Sequence, residues 1–182
     1  MRRGIGVRSY GIGEQGTAVE AKLKAGDMAP DFEGSTSTDT QIRLKDYLGK
    51  KNVVLYFYPK DDTKGCTIEA CSFRDKLQSI TALWTEVIGV SVDAVDSHKK
   101  FAEKNSLNFP LVSDHEKRIS KAYGVLSEDG SYAERTTFII DREGRIAKVF
   151  TNVDVTEHTH EVVEVLKRLP FGKTKPGEKN QS

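Results

Sequence analysis

The sequence has only two cysteines, Cys66 and Cys71, among 182 residues. Two thiols are too few for the disulfide framework of a secreted domain, and a bond closing so short a loop would add little stability. The chain also lacks a C-x-x-C pair, the spacing typical of thiol–disulfide exchange proteins. The thiols therefore indicate a reducing compartment and either a chemical role or no role at all, and we expect a cytoplasmic protein.

Neither sign of charge dominates, and no long hydrophobic run is present. The 28 basic and 27 acidic residues leave a net charge of +1, so charge gives no reason to expect nucleic acid or a membrane surface as a partner. No stretch approaches the roughly 18 apolar residues of a membrane-spanning helix. The four histidines form no H-x-x-x-H pattern, and we expect no metal site and no organic cofactor.

Polar segments at both ends flank one predicted domain. Residues 1–23 contain arginines but no apolar segment like that of a secretory signal, and we expect a flexible extension. An organellar targeting role is the alternative, because the first thirteen residues lack acids. Residues 170–182 are polar with proline and glycine, which predicts a loose tail. The domain itself is expected at 24–169.

Apolar runs alternate with helical patterns along this domain. The runs predict strands at 52–58, 86–92, 109–113, 136–141 and 145–150, with the last two forming a hairpin. The helical patterns predict helices at 64–83, 95–105, 114–124 and 157–169. Asp96 or Ser97 is the expected N-cap of the second helix, and Asp114 that of the third. This order predicts an α/β fold with a central mixed sheet flanked by helices, in which the first two core strands run parallel.

The first predicted helix carries an apolar stripe that begins at one of the cysteines. At about 100° per residue, its members fall within roughly 40° of one line. They are Cys66, Ala70, Phe73, Leu77, Ile80 and Trp84. Cys71 lies about 140° from Cys66, on another face, with its Cα about 8.6 Å away. A disulfide needs about 4.4–6.8 Å between Cα atoms, so the two can bond only if the helix unwinds.

Cys66 is placed where a thiolate is favoured. Thr63 or Asp62 is the expected N-cap, so the thiol lies near free backbone N–H groups and the positive end of the helix dipole. Gly65 permits a close approach to the backbone, and Pro59 can shield the sulfur from one side. The alternative is that Cys66 is only a small apolar residue in the stripe.

These residues resemble the active-site signature of the peroxiredoxins. "PKDDTKGCT" contains P-x-x-x-T-x-x-C at Pro59, Thr63 and Cys66, and the C-x-x-x-x-C spacing with "EACSFRD" resembles the peroxiredoxin Q branch, also called bacterioferritin comigratory protein. The resemblance covers about residues 24–169. Supporting stretches are "AGDMAPDF" at 25–32, "SHKKFAEK" at 97–104 and "RTTFIID" at 135–141.

The resemblance implies a thioredoxin-like fold and a role for each of five residues. Cys66 would be the peroxidatic cysteine and Cys71 the resolving one. Thr63 would hydrogen-bond the sulfur and the peroxide, Arg135 would stabilise the thiolate and orient the substrate, and Pro59 would shield the pocket. The implied activity is reduction of hydrogen peroxide and organic hydroperoxides, followed by recycling through a thioredoxin-like protein. The implied assembly is a monomer or a weak homodimer.

Other interpretations of the same residues stay open. Thr63 can serve only as a helix cap, Cys71 can be a passive thiol, and Arg135 can be a surface ion-pair partner of Glu134 or Asp141. For the whole chain, one alternative is a thiol–disulfide exchange protein that acts on other proteins. The second is a redox sensor or holdase without enzymatic activity.

Overall fold

The computed structural model describes residues 22–169. The predicted N-terminal extension at 1–23, apart from its last two residues, and the predicted tail at 170–182 lie outside this range. None of the helices within it combines the length and the apolar character needed to cross a membrane.

Seven strands and four helices make up the described chain. The strands are β1 Glu33–Ser35, β2 Gln41–Arg43, β3 Asn52–Phe57, β4 Thr85–Ser91, β5 Leu111–Ser113, β6 Thr136–Ile140 and β7 Ile146–Phe150. The helices are α1 Lys64–Thr81, α2 Val95–Lys104, α3 Arg118–Ala122 and α4 His158–Arg168, with a 3-10 turn at Leu44–Asp46. The short β1–β2 hairpin and the 3-10 turn were not predicted, because three-residue elements leave little periodicity in a sequence.

Five of the strands form one mixed sheet in the order β5-β4-β3-β6-β7. β3 runs parallel to β4, β4 runs parallel to β5, and the β6–β7 hairpin is antiparallel to β3. The parallel core pair and the C-terminal hairpin are therefore confirmed. The mixed sheet with flanking helices agrees with the thioredoxin-like fold that the resemblance implies.

β3 lies at the centre of this sheet, and all six of its residues are buried. Because successive side chains of a strand point to opposite faces, β3 contributes to two apolar clusters. Val53, Leu55 and Phe57 pack in the cluster on one face. Val54 and Tyr56 pack in the other cluster, which also contains residues of α1 and α4. Packing on both faces fixes the end of β3, and the loop that leads to Cys66 starts there.

The stripe of α1 is confirmed for most of its length and wrong at its end. Cys66, Ala70, Phe73 and Ile80 are buried, and Leu77 is half-buried. Trp84 is 48% exposed, because the helix ends at Thr81. The backbone at Trp84 is left-handed, with φ 53°, so the spacing of a regular helix no longer applies there.

One predicted helix cap and one predicted helix start also need correction. α2 has Ala94 at its N-cap position, and the side chain of the predicted cap Ser97 instead donates to Asp61 at 2.7 Å. α3 begins only at Arg118, because a turn that includes a left-handed Lys117 (φ 65°) precedes it. Asp114 nevertheless binds the start of this helix.

The Asp114 carboxylate accepts hydrogen bonds from two backbone N–H groups of α3. One comes from Ile119 at 3.0 Å and the other from Ser120 at 2.7 Å. Asp114 therefore caps α3, although it does not occupy the N-cap position.

Candidate active site

Cys66 is the third residue of α1 and is only 1% exposed. Thr63 holds the N-cap position with extended backbone angles (φ −90°, ψ 156°). The loop from Tyr58 to Thr63 connects this helix to the end of the central strand β3. The sulfur therefore lies in the first turn of the helix, where backbone N–H groups lack partners within the helix and the dipole favours negative charge.

Arg135 reaches this sulfur from the neighbouring strand. In the antiparallel register Thr136 pairs with Phe57, so Arg135 lies just beyond the end of β3. Its Nη2 donates to Cys66 Sγ at 3.2 Å, and its Nη1 donates to Glu69 Oε1 at 2.7 Å. The ion-pair partner of Arg135 is thus Glu69, and not the Glu134 or Asp141 that the alternative interpretation named.

Glu69 was missed by the sequence analysis, although it lies one helical turn beyond Cys66. Its side chain is completely buried. Burial raises the pKa of this carboxyl from 4.5 to about 7, against the opposing attraction of Arg135. Oε2 has no hydrogen-bond partner among the described residues. The available sequence signal was its i+3 spacing from Cys66, which places both side chains on one side of the helix.

Gly65 makes room for the guanidinium group. A Cβ added at this position would lie 3.2 Å from Arg135 Nη2, the atom that contacts the sulfur. At this distance Arg135 Nη2 would have to shift by a few tenths of an ångström. From the sequence, Gly65 is expected to permit a close approach to the backbone, and the structure identifies the approaching group as Arg135.

Thr63 and Pro59 lie in the loop in front of the helix. Thr63 is exposed, and its Oγ1 donates to the carbonyl oxygen of Lys60 at 2.8 Å without making a side-chain cap bond to α1. A hydroxyl oxygen that donates its hydrogen can still accept a hydrogen bond. Pro59 is half-buried at the start of the loop, directly after β3 and the buried Tyr58.

Cys71 lies on another face of α1, as the helical spacing predicted. It is half-buried, and its Sγ donates a weak hydrogen bond to Asn105 Oδ1 at 3.8 Å. Arg74 Nη1 donates to the carbonyl oxygen of the same Asn105 at 2.6 Å, so the end of α2 contacts this face of α1. Both cysteines are free thiols within an uninterrupted helix.

A buried histidine on α4 adds no second cation to the site. Burial, together with the positive charge of Arg135, lowers the pKa of His158 from 6.5 to about 4. Its Nε2 lies 2.7 Å from Thr137 Oγ1. His158 is therefore neutral at pH 7, and the charge facing Cys66 comes from Arg135.

A cluster of possible metal ligands lies between the loop before α1 and the start of α2. Asp61, Asp93 and His98 offer ligand atoms within 4.8 Å of one another. Each of these side chains is already engaged in hydrogen bonds within the protein. The cluster is therefore satisfied without an ion.

Comparison with known proteins gives consistent results. A model of the AhpC/TSA family matches residues 25–149. Peroxiredoxin Bcp of Bacillus subtilis is 42% identical over 153 residues, which cover 81% of this chain and 97% of that protein. Peroxiredoxin Bcp of Escherichia coli (strain K12) is 38% identical over 149 residues, which cover 78% of this chain and 93% of that protein.

Solved structures agree with these relatives. Peroxidoxin BcpB of Mycobacterium tuberculosis superposes with a TM-score of 0.76 at 34% identity, covering 81% of this chain and 98% of that one. PrxQ of Xylella fastidiosa gives a TM-score of 0.76 at 35% identity, with 81% and 97% covered. Since the family model spans more than half of the sequence and these relatives match over nearly their full lengths, the chain belongs to the AhpC/TSA family of peroxiredoxins, with relatives of the Bcp, or peroxiredoxin Q, type.

Proposed function

We propose that this thiol peroxidase reduces hydrogen peroxide and organic hydroperoxides at Cys66, with Cys71 as the resolving cysteine and a thioredoxin-like protein as the reductant. The observation that carries the proposal is the contact between Arg135 Nη2 and Cys66 Sγ at 3.2 Å in the first turn of α1. A guanidinium group and a helix N-terminus both favour the thiolate, which is the nucleophilic form of cysteine.

In the first step, the Cys66 thiolate attacks one oxygen of the hydroperoxide. The S–O bond forms, the O–O bond breaks, and the leaving oxygen takes a proton and departs as water or an alcohol. Cys66 becomes a sulfenic acid. Arg135 stabilises the charge that develops on the leaving oxygen, and the Thr63 hydroxyl orients the peroxide. Pro59 shields the pocket from solvent.

In the second step, the Cys71 thiolate attacks the sulfenic sulfur. The disulfide forms, and hydroxide leaves and is protonated to water. This step needs α1 to open, because the helix holds the two Cα atoms about 8.6 Å apart, beyond the span of a disulfide. An external dithiol then restores both thiols by exchange. Because recycling needs such a reductant, we place the protein in a reducing compartment such as the cytoplasm. We also propose that it acts as a monomer or a weak homodimer.

The proposal also assigns the activity to one part of the chain. We take residues 24–169 as the catalytic domain, which the family match at 25–149 supports. No nucleic acid, membrane, metal or organic cofactor enters the proposed reaction.

The burial of Cys66 argues against the exchange of disulfides with other proteins. Cys66 is 1% exposed, so a cystine on a folded protein surface cannot reach its sulfur. The test compares hydroperoxide consumption, coupled to thioredoxin and its reductase, with reduction of insulin disulfides. We expect peroxide consumption with little insulin reduction. The reverse result would reject a peroxidase in favour of an exchange protein, and slow reaction in both assays would favour the redox sensor.

A further inference from the structure

We propose that Asp61 and His98 form a positioning pair that holds the loop in front of Cys66 in the geometry that reacts with peroxide. This inference rests on the proposed function and assigns it two further residues. Neither residue forms a hydrogen bond with the sulfur in the structure. Both belong to a buried hydrogen-bond network that joins the loop to α2 and to the sheet.

The Asp61 carboxylate is the centre of this network. Its Oδ1 accepts from the Tyr58 hydroxyl at 2.6 Å. Its Oδ2 accepts from the Ser97 hydroxyl at 2.7 Å and lies 2.7 Å from His98 Nδ1. The Asp61 side chain is 4% exposed and that of His98 is fully buried. Buried acceptors with three partners of this kind hold a loop in one arrangement, since loss of any partner leaves a desolvated polar group.

His98 connects Asp61 to the opposite side of the network. Its Nε2 lies 3.0 Å from the carbonyl oxygen of Val112 in β5. A carbonyl can only accept, so Nε2 carries a hydrogen. Nδ1 lies 2.7 Å from the Asp61 carboxylate. The imidazole therefore bridges the loop to a strand of the sheet through two hydrogen bonds.

The main chain of the loop is fixed at the same point. The N–H of Asp61 donates to Asp93 Oδ2 at 2.8 Å, and this oxygen also accepts from Ser91 at the end of β4. The next residue, Asp62, has a left-handed backbone with φ 59°. That conformation is uncommon for residues other than glycine, so it persists where the surroundings enforce it. Thr63 follows and begins the helix that carries Cys66.

This arrangement separates the two steps of the proposed reaction. The peroxide step needs the loop and the first turn of α1 in place, whereas disulfide formation needs that turn to open. Loss of the pair is therefore expected to slow the reaction of Cys66 with peroxide without slowing the formation of the disulfide. A residue that only supports the fold would not separate the two rates in this way.

The test uses stopped-flow measurement of both steps in the full-length reduced protein with hydrogen peroxide. His98→Phe keeps a ring but removes both hydrogen bonds, and we expect about 10- to 100-fold slower oxidation of Cys66. Disulfide formation should proceed at the wild-type rate or faster. His98→Asn, whose amide can again hydrogen-bond the Asp61 carboxylate, should recover part of the loss. His115→Phe, on an exposed residue, is the matched control and should match the wild type.

Three results would overturn the inference. They are wild-type oxidation rates in His98→Phe, equal slowing of both steps in a folded variant, and no recovery in His98→Asn. If His98→Phe does not fold, the ratio of the two rates in His98→Asn decides by the same criterion. A wild-type protein that reacts no faster than free cysteine would instead reject the proposed function itself.

Discussion

Glu69 holds Arg135 by an ion pair of 2.7 Å, one helical turn from the sulfur that the same guanidinium group contacts at 3.2 Å. The two nitrogens of one planar fork thus connect a buried carboxyl to Cys66. Because the fork is rigid, the carboxyl determines where the second nitrogen lies. Glu69 is therefore part of the geometry of the site, although it forms no hydrogen bond with the sulfur.

Arg135→Lys should slow the reaction of Cys66 with hydrogen peroxide by about 100-fold. A lysine keeps the charge, but a single ammonium group cannot reproduce the two-pronged contact to Glu69 and Cys66. Stopped-flow oxidation of the reduced protein measures the effect. Arg118→Lys, at a side chain 84% exposed and paired with Glu116, is the matched control. A rate for Arg135→Lys within about twofold of the wild type would contradict the role of the fork.

Gly65→Ala should affect activity and stability in opposite directions. Alanine is the better helix former by up to about 1 kcal/mol, so thermal stability should stay the same or rise. Its Cβ would lie 3.2 Å from Arg135 Nη2 and would displace that atom, so the reaction with peroxide should slow by about tenfold. Melting temperature and stopped-flow rate are measured on the same preparation. Unchanged reactivity would show that Arg135 tolerates the shift.

Glu69→Gln should remove a pH dependence of stability. The pKa of Glu69 is raised from 4.5 to about 7 in the folded protein, so its carboxyl favours folding while it is protonated. That contribution is complete below about pH 4.5 and is lost as the pH rises through about 7. The free energy of unfolding of the wild type, relative to Glu69→Gln, should therefore fall by roughly 1–3 kcal/mol over this range.

Urea titrations at the two ends of the range measure this difference. Glu116→Gln, at an exposed glutamate, is the control. The difference in free energy of unfolding between the wild type and this variant should be nearly the same at both pH values. A constant difference between the wild type and Glu69→Gln would mean that burial does not raise the pKa of Glu69.

Cys71→Ser should permit one turnover and prevent efficient recycling. Cys66 is intact in this variant, so its first reaction with peroxide should keep the wild-type rate within about twofold. Without a second thiol the sulfenic acid persists, and excess peroxide should carry it to the sulfinic form. Mass spectrometry of the Cys66 peptide measures the product. Undiminished multiple turnover with a thioredoxin-like reductant would contradict the resolving role.

Oxidation of the wild type should loosen the start of α1. Residues 66–72 are helical in the structure with free thiols, and a bond between Cys66 and Cys71 cannot form in a regular helix. Amide hydrogen exchange in this segment should therefore speed up after oxidation. Strand β3, buried on both faces, is the internal reference and should keep its protection. Equal protection of the segment in both redox states would refute the unwinding.

Much of the fold could be predicted because its strands are strongly apolar. Every residue of β3 is buried, so its pattern in the sequence was a continuous apolar run. The residue at which α1 ends could not be predicted in this way. The pattern included Trp84, but the helix ends at Thr81, and a hydrophobic stripe contains no signal for that stop.

Residues of one motif and, from the resemblance, Arg135 were named from the sequence, but the long-range contacts that surround them were missed. Thr63 and Cys66 lie in one motif, whereas the partner of Arg135 is 66 residues away from it in the chain. A charged residue in a helix is ordinarily expected to face solvent, so the i+3 spacing from Cys66 was only a weak sign that Glu69 is buried. The Asp61–His98 contact spans 37 residues and depends on the packing of α2 against the loop.

The most direct test of the account is stopped-flow reaction of the reduced protein with hydrogen peroxide, followed by peptide mapping of the oxidised sulfur. We predict a reaction far faster than that of free cysteine, with the first oxidised sulfur at Cys66 and a later disulfide to Cys71. Cys66→Ser should abolish both the fast reaction and peroxide turnover. A rate equal to that of free cysteine, or first oxidation at Cys71, would contradict it.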